Sequence, residues 1–224
     1  MVDLFRLTLN SAAGVGTNVY KGVLVRDLLL EAGVSTENMT GKHVEFVGYE
    51  DLPNKIGPGP FPEKWGKFVK YGTSVLLSKA MNPANDMLIA YQANGEKLLP
   101  DHGYPCRLIL PGYIGGRMIK WLKHINVIEH ETHNHYHYHD NKALPPQVTS
   151  ETAIEGGWWY KQEYIINDLS LNSVICKPDH NTTLSIADSI SGLFQVSGFA
   201  HAGGGRMVTR VEFSIDQGET WEVC

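Results

Sequence analysis

A chain of 224 residues, 42% of them hydrophobic, is long enough to bury one large core or two small ones. Its formal net charge of -5 argues against a general nucleic-acid binder, and no apolar run approaches the roughly 18 residues that a membrane span needs. The N-terminus has no basic region followed by an apolar block, and the three cysteines, Cys106, Cys176 and Cys224, are too far apart to suggest a disulfide framework, so a cytosolic protein is expected.

From the N-terminus, Val25, Leu28, Leu29 and Ala32 fall at i, i+3, i+4 and i+7 before Gly33, which predicts an amphipathic helix over Val23 to Ala32. His43 to Tyr49 alternates as a strand does. Asp51 to Lys70, crowded with proline, glycine and lysine around Gly57-Pro58-Gly59-Pro60, reads as a long surface loop. Met87 to Gln92 and Lys97 to Leu99 flank Asn94-Gly95, a strong hairpin signal. Leu108 to Leu110 is a short strand stopped by Pro111-Gly112. Ile119 to Ile128 resumes extended character, so Gly115, Gly116 and Arg117 sit in a strand-to-strand connection.

In the run His130 to His139, His133, His135, His137 and His139 alternate and would share one face of an extended strand, with Tyr136 and Tyr138 on the other. Imidazoles so placed could bind copper, nickel or zinc; an exposed edge strand or loop is the plainer reading, and no metal ligand is assigned. Polar, loop-like composition between Pro145 and Gly157 divides the chain into residues 1–155 and 156–224. In the second part, Ser191 to Ala200 and Met207 to Asp216 read as strands, the latter with Val211, Phe213 and Ile215 on one face. An Asp216-Gln217-Gly218 turn and a further strand at Thr220-Trp221 follow. The expectation is an α+β domain followed by the opening of an antiparallel sandwich.

The most informative segment is Asp101 to Ile125, which sets cations and glycines around two apolar runs. Glycines let backbone N–H groups approach a ligand, and His102, Arg107, Arg117 and Lys120 would surround one small volume with donors. That arrangement suits a phosphate or another polyanionic cofactor. A basic hairpin whose cations face water is the competing reading.

Asp101-His102-Gly103-Tyr104-Pro105, Arg107, Pro111-Gly112, Gly115-Gly116-Arg117 and Lys120-Trp121-Leu122 together resemble the molybdopterin-binding segment of the eukaryotic sulfite oxidase and nitrate reductase family. Further matches are Tyr71-Gly72-Thr73-Ser74, Ala80-Met81-Asn82-Pro83, Gly156 to Lys161 with Glu163 to Asn167, and the closing Gly203 to Trp221 region. The resemblance runs from about Ala12 to Cys224. It implies that His102, Arg107 and the segment Met118, Ile119, Lys120 touch the pterin and its phosphate, and that Glu50 or Asp51 meets the pterin. A solvated loop charge is the alternative for those carboxylates.

Sulfite oxidases carry Asp-Tyr-Lys where this chain has Asp140-Asn141-Lys142, followed by Ala143-Leu144-Pro145, and the latter pattern resembles assimilatory nitrate reductases. By that resemblance Asn141 orients nitrate, and the enzyme reduces it to nitrite by oxygen-atom transfer to molybdenum. The implied fold is a sulfite-oxidase-type molybdopterin domain followed by part of an immunoglobulin-like dimerisation domain. A homodimer is implied, with haem and FAD in other parts of the full-length enzyme. Relatives hold molybdenum through a cysteine upstream of the segment matching Ala12-Ala13-Gly14. Met1 to Asn10 carry no such match, so the chain reads as part of a larger enzyme whose own activity is in doubt. A sulfite oxidase, a non-catalytic pterin-binding or dimerisation module, and a histidine-rich metal binder stand as alternatives.

Overall fold

The computed structural model describes residues 2–11, 14–53, 68–183 and 194–224. Two compact units result, Met1–Asn167 and Asp168–Cys224. In the first, the strands in chain order are β1 (Val2–Ser11), β2 (Gly14–Leu24), β3 (His43–Pro53), β4 (Phe68–Leu76), β5 (Leu88–Ala93), β6 (Glu96–Lys97), β7 (Arg107–Ile109) and β8 (Leu122–Ile128). Its helices are short: α1 (Val25–Glu31), α2 (Leu77–Met81), α3 (His135–Tyr138) and α4 (Ser150–Glu155). The architecture is α+β, with every strand pairing antiparallel among the described residues.

One sheet runs β1-β2-β5-β6, with β7 also paired to β5; the other runs β4-β3-β8. Alternation explains the second. Val44 and Phe46 point to one face of β3 and are fully buried, and Phe46 sits in register with Thr73 on β4 and Ile125 on β8. They join Val25 and Leu29 from α1 and Leu108, Ile109 and Leu110 from the β7 region in one apolar core. The Asn94-Gly95 hairpin is present, pairing Ala93 with Glu96 and Gln92 with Lys97. Asn94 secures it by accepting from the Val19 N–H at 2.9 Å and donating to Asn18 at 2.9 Å.

Several expectations need correction. In α1 only Val25 and Leu29 are buried, while Leu28 is exposed, so the apolar stripe is narrower than its spacing implied. Gly33 does end the helix, with φ of 82°. The expected loop after Asp51 is strand at both ends, because Asp51, Leu52 and Pro53 pair with Lys70, Val69 and Phe68; its Gly57 to Pro60 centre lies outside the described residues. The alternating histidines do not form a strand. Asn134 caps them into the one-turn helix α3, its side-chain oxygen accepting from the Tyr136 N–H at 3.1 Å. The polar stretch after Pro145 contains α4, closed at its start by a Thr149–Thr152 capping box.

In the second unit β9 (Asn172–Lys177) pairs with β10 (Ser197–His201), and β11 (Glu212–Phe213) with β12 (Glu222–Val223). The strand expected over Met207 to Asp216 shrinks to two residues, and Ile215 is 89% exposed. Local hydrogen bonds outcompete the ladder there: the Ser214 hydroxyl accepts from the Gly218 N–H at 2.8 Å, and the Asp216 carboxylate accepts from the Thr220 N–H at 2.9 Å. The Asp216-Gln217-Gly218 turn itself forms, with Gln217 and Gly218 at positive φ.

Candidate functional site

The Pro100–His102 turn is gripped through three successive carbonyls. Trp121 Nε1 donates to the Pro100 oxygen at 2.8 Å, Lys120 Nζ to that of Asp101 at 2.8 Å, and Arg107 Nη1 to that of His102 at 3.1 Å. The Lys120 ammonium also lies 4.3 Å from the Trp121 ring centroid. Two backbone bonds, Leu108 N–H to the Ile119 carbonyl and Leu122 N–H to that of Cys106, tie the β7 region to the segment that carries Lys120 and Trp121. Trp121 adopts φ of 48°, a strained conformation for a bulky residue that this closure imposes.

His102 and Arg107 both line a cavity of about 510 Å³, together with Tyr20, Asn94, Lys97 and Leu98. Burial lowers the pKa of Arg107, while the nearby Tyr20 opposes that shift. Arg107 Nη2 reaches the Met118 carbonyl at 3.4 Å, and its buried Nε has no hydrogen-bond partner among the described residues. Glu50 Oε2 is likewise buried without one. Glu50 approaches Lys120 across Gly48: a Cβ at Gly48 would stand 2.6 Å from Glu50 Oε2 and 3.2 Å from the Lys120 carbonyl. Gly103 gives the same close passage on the other side, where a Cβ would lie 3.0 Å from Lys120 and 3.1 Å from Arg107. The structure therefore brings His102, Arg107, Lys120 and Glu50 into one neighbourhood. Met118 and Ile119 are there too, with their side chains in the core.

Arg117 is engaged differently from the volume of donors expected for it. It is 0% exposed and its guanidinium is committed to main-chain carbonyls: Nε and Nη2 donate to Ile166 at 3.1 and 2.9 Å, Nη1 to Tyr136 at 3.1 Å, and Nη2 to His137 at 3.2 Å. Asn141 is close by, at φ of 51°, its Nδ2 directed to the same Tyr136 carbonyl at 3.4 Å. Gly116 faces that amide, since a Cβ there would sit 3.5 Å from both Asn141 side-chain atoms. Tyr71, matched by motif but given no role by the sequence, donates from its hydroxyl to the Gly116 carbonyl at 2.8 Å and stacks on Tyr136 with centroids 5.0 Å apart. No spacing signal could have joined residues 45 positions apart.

The histidine run separates on α3. His135 and His137 are buried, whereas His133 stacks on Tyr138. Among the described residues no group of three or more His, Cys, Asp or Glu is arranged to hold a metal, so the one-face array has no counterpart. His137 Nε2 meets Glu131 Oε1 at 2.9 Å and Nδ1 meets Thr73 Oγ1 at 2.8 Å. A carboxylate only accepts, so Nε2 carries the proton and the Thr73 hydroxyl donates to Nδ1. Burial lowers the pKa of His137 and keeps it neutral. Glu131 and His133 also line a smaller cavity of about 260 Å³. Beside Asn141, burial pulls Lys142 down to about 8. Cys106 directs its thiol at the Leu122 carbonyl, 3.8 Å away, and Cys176 and Cys224 are exposed in the second unit.

The family model described as oxidoreductase molybdopterin binding domain matches residues 6–136, more than half of the chain. The chain belongs to this molybdopterin oxidoreductase family. The match starts within the segment where the motifs show no resemblance. A second model, the Mo-co oxidoreductase dimerisation domain, matches residues 163–224. Among family relatives, nitrate reductase (NADH) of Spinacia oleracea is 50% identical over 95% of this chain, and nitrate reductase (NADH) 2 of Phaseolus vulgaris is 49% identical over 95%. The chain spans 22% and 23% of their respective lengths. The sulfane dehydrogenase SoxCD from Paracoccus pantotrophus has a similar structure, with a TM-score of 0.64 and 26% identity over 93% of this chain and 44% of that one. No helix among the described residues is long and apolar enough to cross a membrane.

Proposed function

We propose that this chain is the molybdenum-cofactor-binding portion of an assimilatory nitrate reductase. The observation that carries the reading is the cavity lined by both Arg107 and His102, where the Arg107 guanidinium keeps a buried Nε without a hydrogen-bond partner among the described residues. An uncompensated buried donor is costly, and a phosphate oxygen is the partner that a guanidinium suits best. Glu50 Oε2 is a second buried atom without a hydrogen-bond partner among the described residues, and in this reading it accepts from an N–H of the cofactor. Lys120 adds a charge, and the main chain of Met118 and Ile119 holds Arg107 and β7 beside it, the Met118 carbonyl accepting from Arg107 and that of Ile119 from the Leu108 N–H.

The bound cofactor supplies the two-electron centre that accepts an oxygen atom from nitrate. Asn141, with one amide N–H on the Tyr136 carbonyl, keeps a second for a substrate oxygen. Neither Cys106, aimed at Leu122, nor the exposed Cys176 and Cys224 fits a metal thiolate, so nitrate turnover is assigned to the whole enzyme. Residues 1–155 hold the cofactor in this reading, and residues 156–224 form the first part of an immunoglobulin-like module through which two chains pair. Haem and FAD would belong to other parts of that enzyme and would supply the electrons. Three free thiols accord with a cytosolic setting.

A sulfur substrate is the second reading, favoured by the likeness to a sulfane dehydrogenase and disfavoured by Asn141. The test of the main proposal is expression of the chain in a host that makes the cofactor, followed by fluorescence assay of oxidised pterin. About one pterin per chain is expected, with loss on Arg107→Ala; a parent chain purified without pterin refutes it. In a full-length enzyme, turnover of sulfite and none of nitrate would transfer the assignment to the sulfur branch.

A further inference from the structure

We infer that Arg117 is a positioning residue that sets the orientation of the Asn141 amide, and that it makes no contact with the anion. The inference rests on the proposed role of Asn141 as the group presented to substrate. Four hydrogen bonds to three carbonyls occupy the guanidinium, which is completely buried, and the carbonyls belong to α3 and to the segment at Ile166. Both places also hold Asn141. Its side-chain nitrogen shares the Tyr136 carbonyl with Arg117 Nη1, and its own carbonyl accepts from the Ile166 N–H at 2.9 Å. Lys142 bridges to Ile165 next door.

The geometry has one consequence for the amide. An amide oxygen turned toward Tyr136 would face a carbonyl oxygen, so Nδ2 is held there and its second N–H is the one left over. At the other end of Arg117, the Gly115–Arg117 turn is fastened by the Tyr71 hydroxyl on Gly116, which places a residue without a side chain opposite the amide. A planar fork with five donors can bridge three carbonyls from two segments. A lysine has three donors on one nitrogen and cannot span the positions that the Nε, Nη1 and Nη2 of the fork reach.

The test uses the full chain with ¹⁵N-labelled asparagine, parent against Arg117→Lys and Arg117→Met. Side-chain amide exchange is read at Asn141, assigned by Asn141→Asp, and at Asn126, whose amide donates to Glu45 at 3.1 Å and serves as control. Arg117→Lys is expected to cost the protected Asn141 proton about tenfold in exchange protection, the size of one neutral hydrogen bond, while Asn126 stays as it is. If Arg117→Met does not fold, the lysine variant alone decides. Unchanged Asn141 exchange, or equal loosening at both asparagines, overturns the inference. Pterin retention measured on the same samples separates the two readings. A lysine variant that keeps pterin and frees Asn141 supports positioning, whereas one that loses pterin with Asn141 unmoved hands Arg117 back to the anion. A parent chain without pterin counts against the proposed function only, since the exchange measurement still decides the role of Arg117.

Discussion

His137 donates from Nε2 to the Glu131 carboxylate at 2.9 Å, so an imidazole with no exposed surface anchors a carboxylate that lines a cavity. Burial alone would raise the Glu131 pKa, but the hydrogen bonds from His137 and Gln162 prevail and hold it below the ordinary value. His137 moves in the same direction because burial disfavours its cation. Both groups therefore bind protons less readily in the folded chain than in the unfolded one.

Above the ordinary histidine value of 6.5, His137 is neutral in both states and its contribution is fully present. Below it the unfolded chain takes up a proton that the folded chain refuses, so stability falls as acid is added. Glu131 adds a second loss below its ordinary value of 4.5. Urea midpoints measured from pH 8 to pH 4 should decline across this range, less steeply for His137→Gln. A midpoint that is level between pH 6.5 and 5 in the parent contradicts the assignment.

Thr73→Val keeps shape but removes the hydroxyl that donates to His137 Nδ1 at 2.8 Å. Leaving that buried acceptor unsatisfied should cost about 1–3 kcal/mol in chemical denaturation, and Thr73→Ser should restore most of it. Equal stability of the valine variant and the parent would show that the hydrogen bond contributes nothing.

Phe46, fully buried where β3 lies between β4 and β8, should lose about 3–5 kcal/mol on substitution by alanine, through lost burial and the cavity left behind. Thermal unfolding monitored by circular dichroism measures this, and a loss below about 1 kcal/mol would mean that the site collapses freely.

Gly48→Ala separates ligand binding from stability. The new methyl would press on Glu50 Oε2 at 2.6 Å, a carboxylate tip that can swing aside, and on the Lys120 carbonyl at 3.2 Å, which must give slightly, so the loss of stability should be about 1 kcal/mol while pterin retention drops. Full retention would remove Glu50 from the cofactor site.

Gly116→Ala should fold normally, because the atoms nearest its methyl, the Tyr71 hydroxyl at 3.4 Å and the Asn141 amide at 3.5 Å, lie at ordinary contact distance. In a full-length enzyme it should raise the KM for nitrate several-fold by covering the amide, with cofactor content unchanged. An unchanged KM would show that substrate does not approach from the Gly116 side.

Local signals were legible where neighbours in the chain decide conformation. Asn94-Gly95 makes its hairpin, Gly33 ends its helix, and Val44 and Phe46 bury one face of a strand, all from periodicity and turn chemistry. The DHG and KWL motifs likewise marked residues that converge, since Trp121, Lys120 and Arg107 grip consecutive carbonyls of one short turn. The histidine alternation misled because period two is only a tendency of extended chain, and Asn134 with Arg117 draws that segment into a helical turn.

The amino-acid order by itself determined the family, the antiparallel elements with strong turns and the neighbourhood of His102, Arg107 and Lys120, because those features rest on residue types close together along the chain. Only the tertiary structure decided what Arg117 does. A guanidinium goes to whatever acceptors surround it, and those carbonyls come from Tyr136, His137 and Ile166, up to 49 positions away, where no local pattern records them.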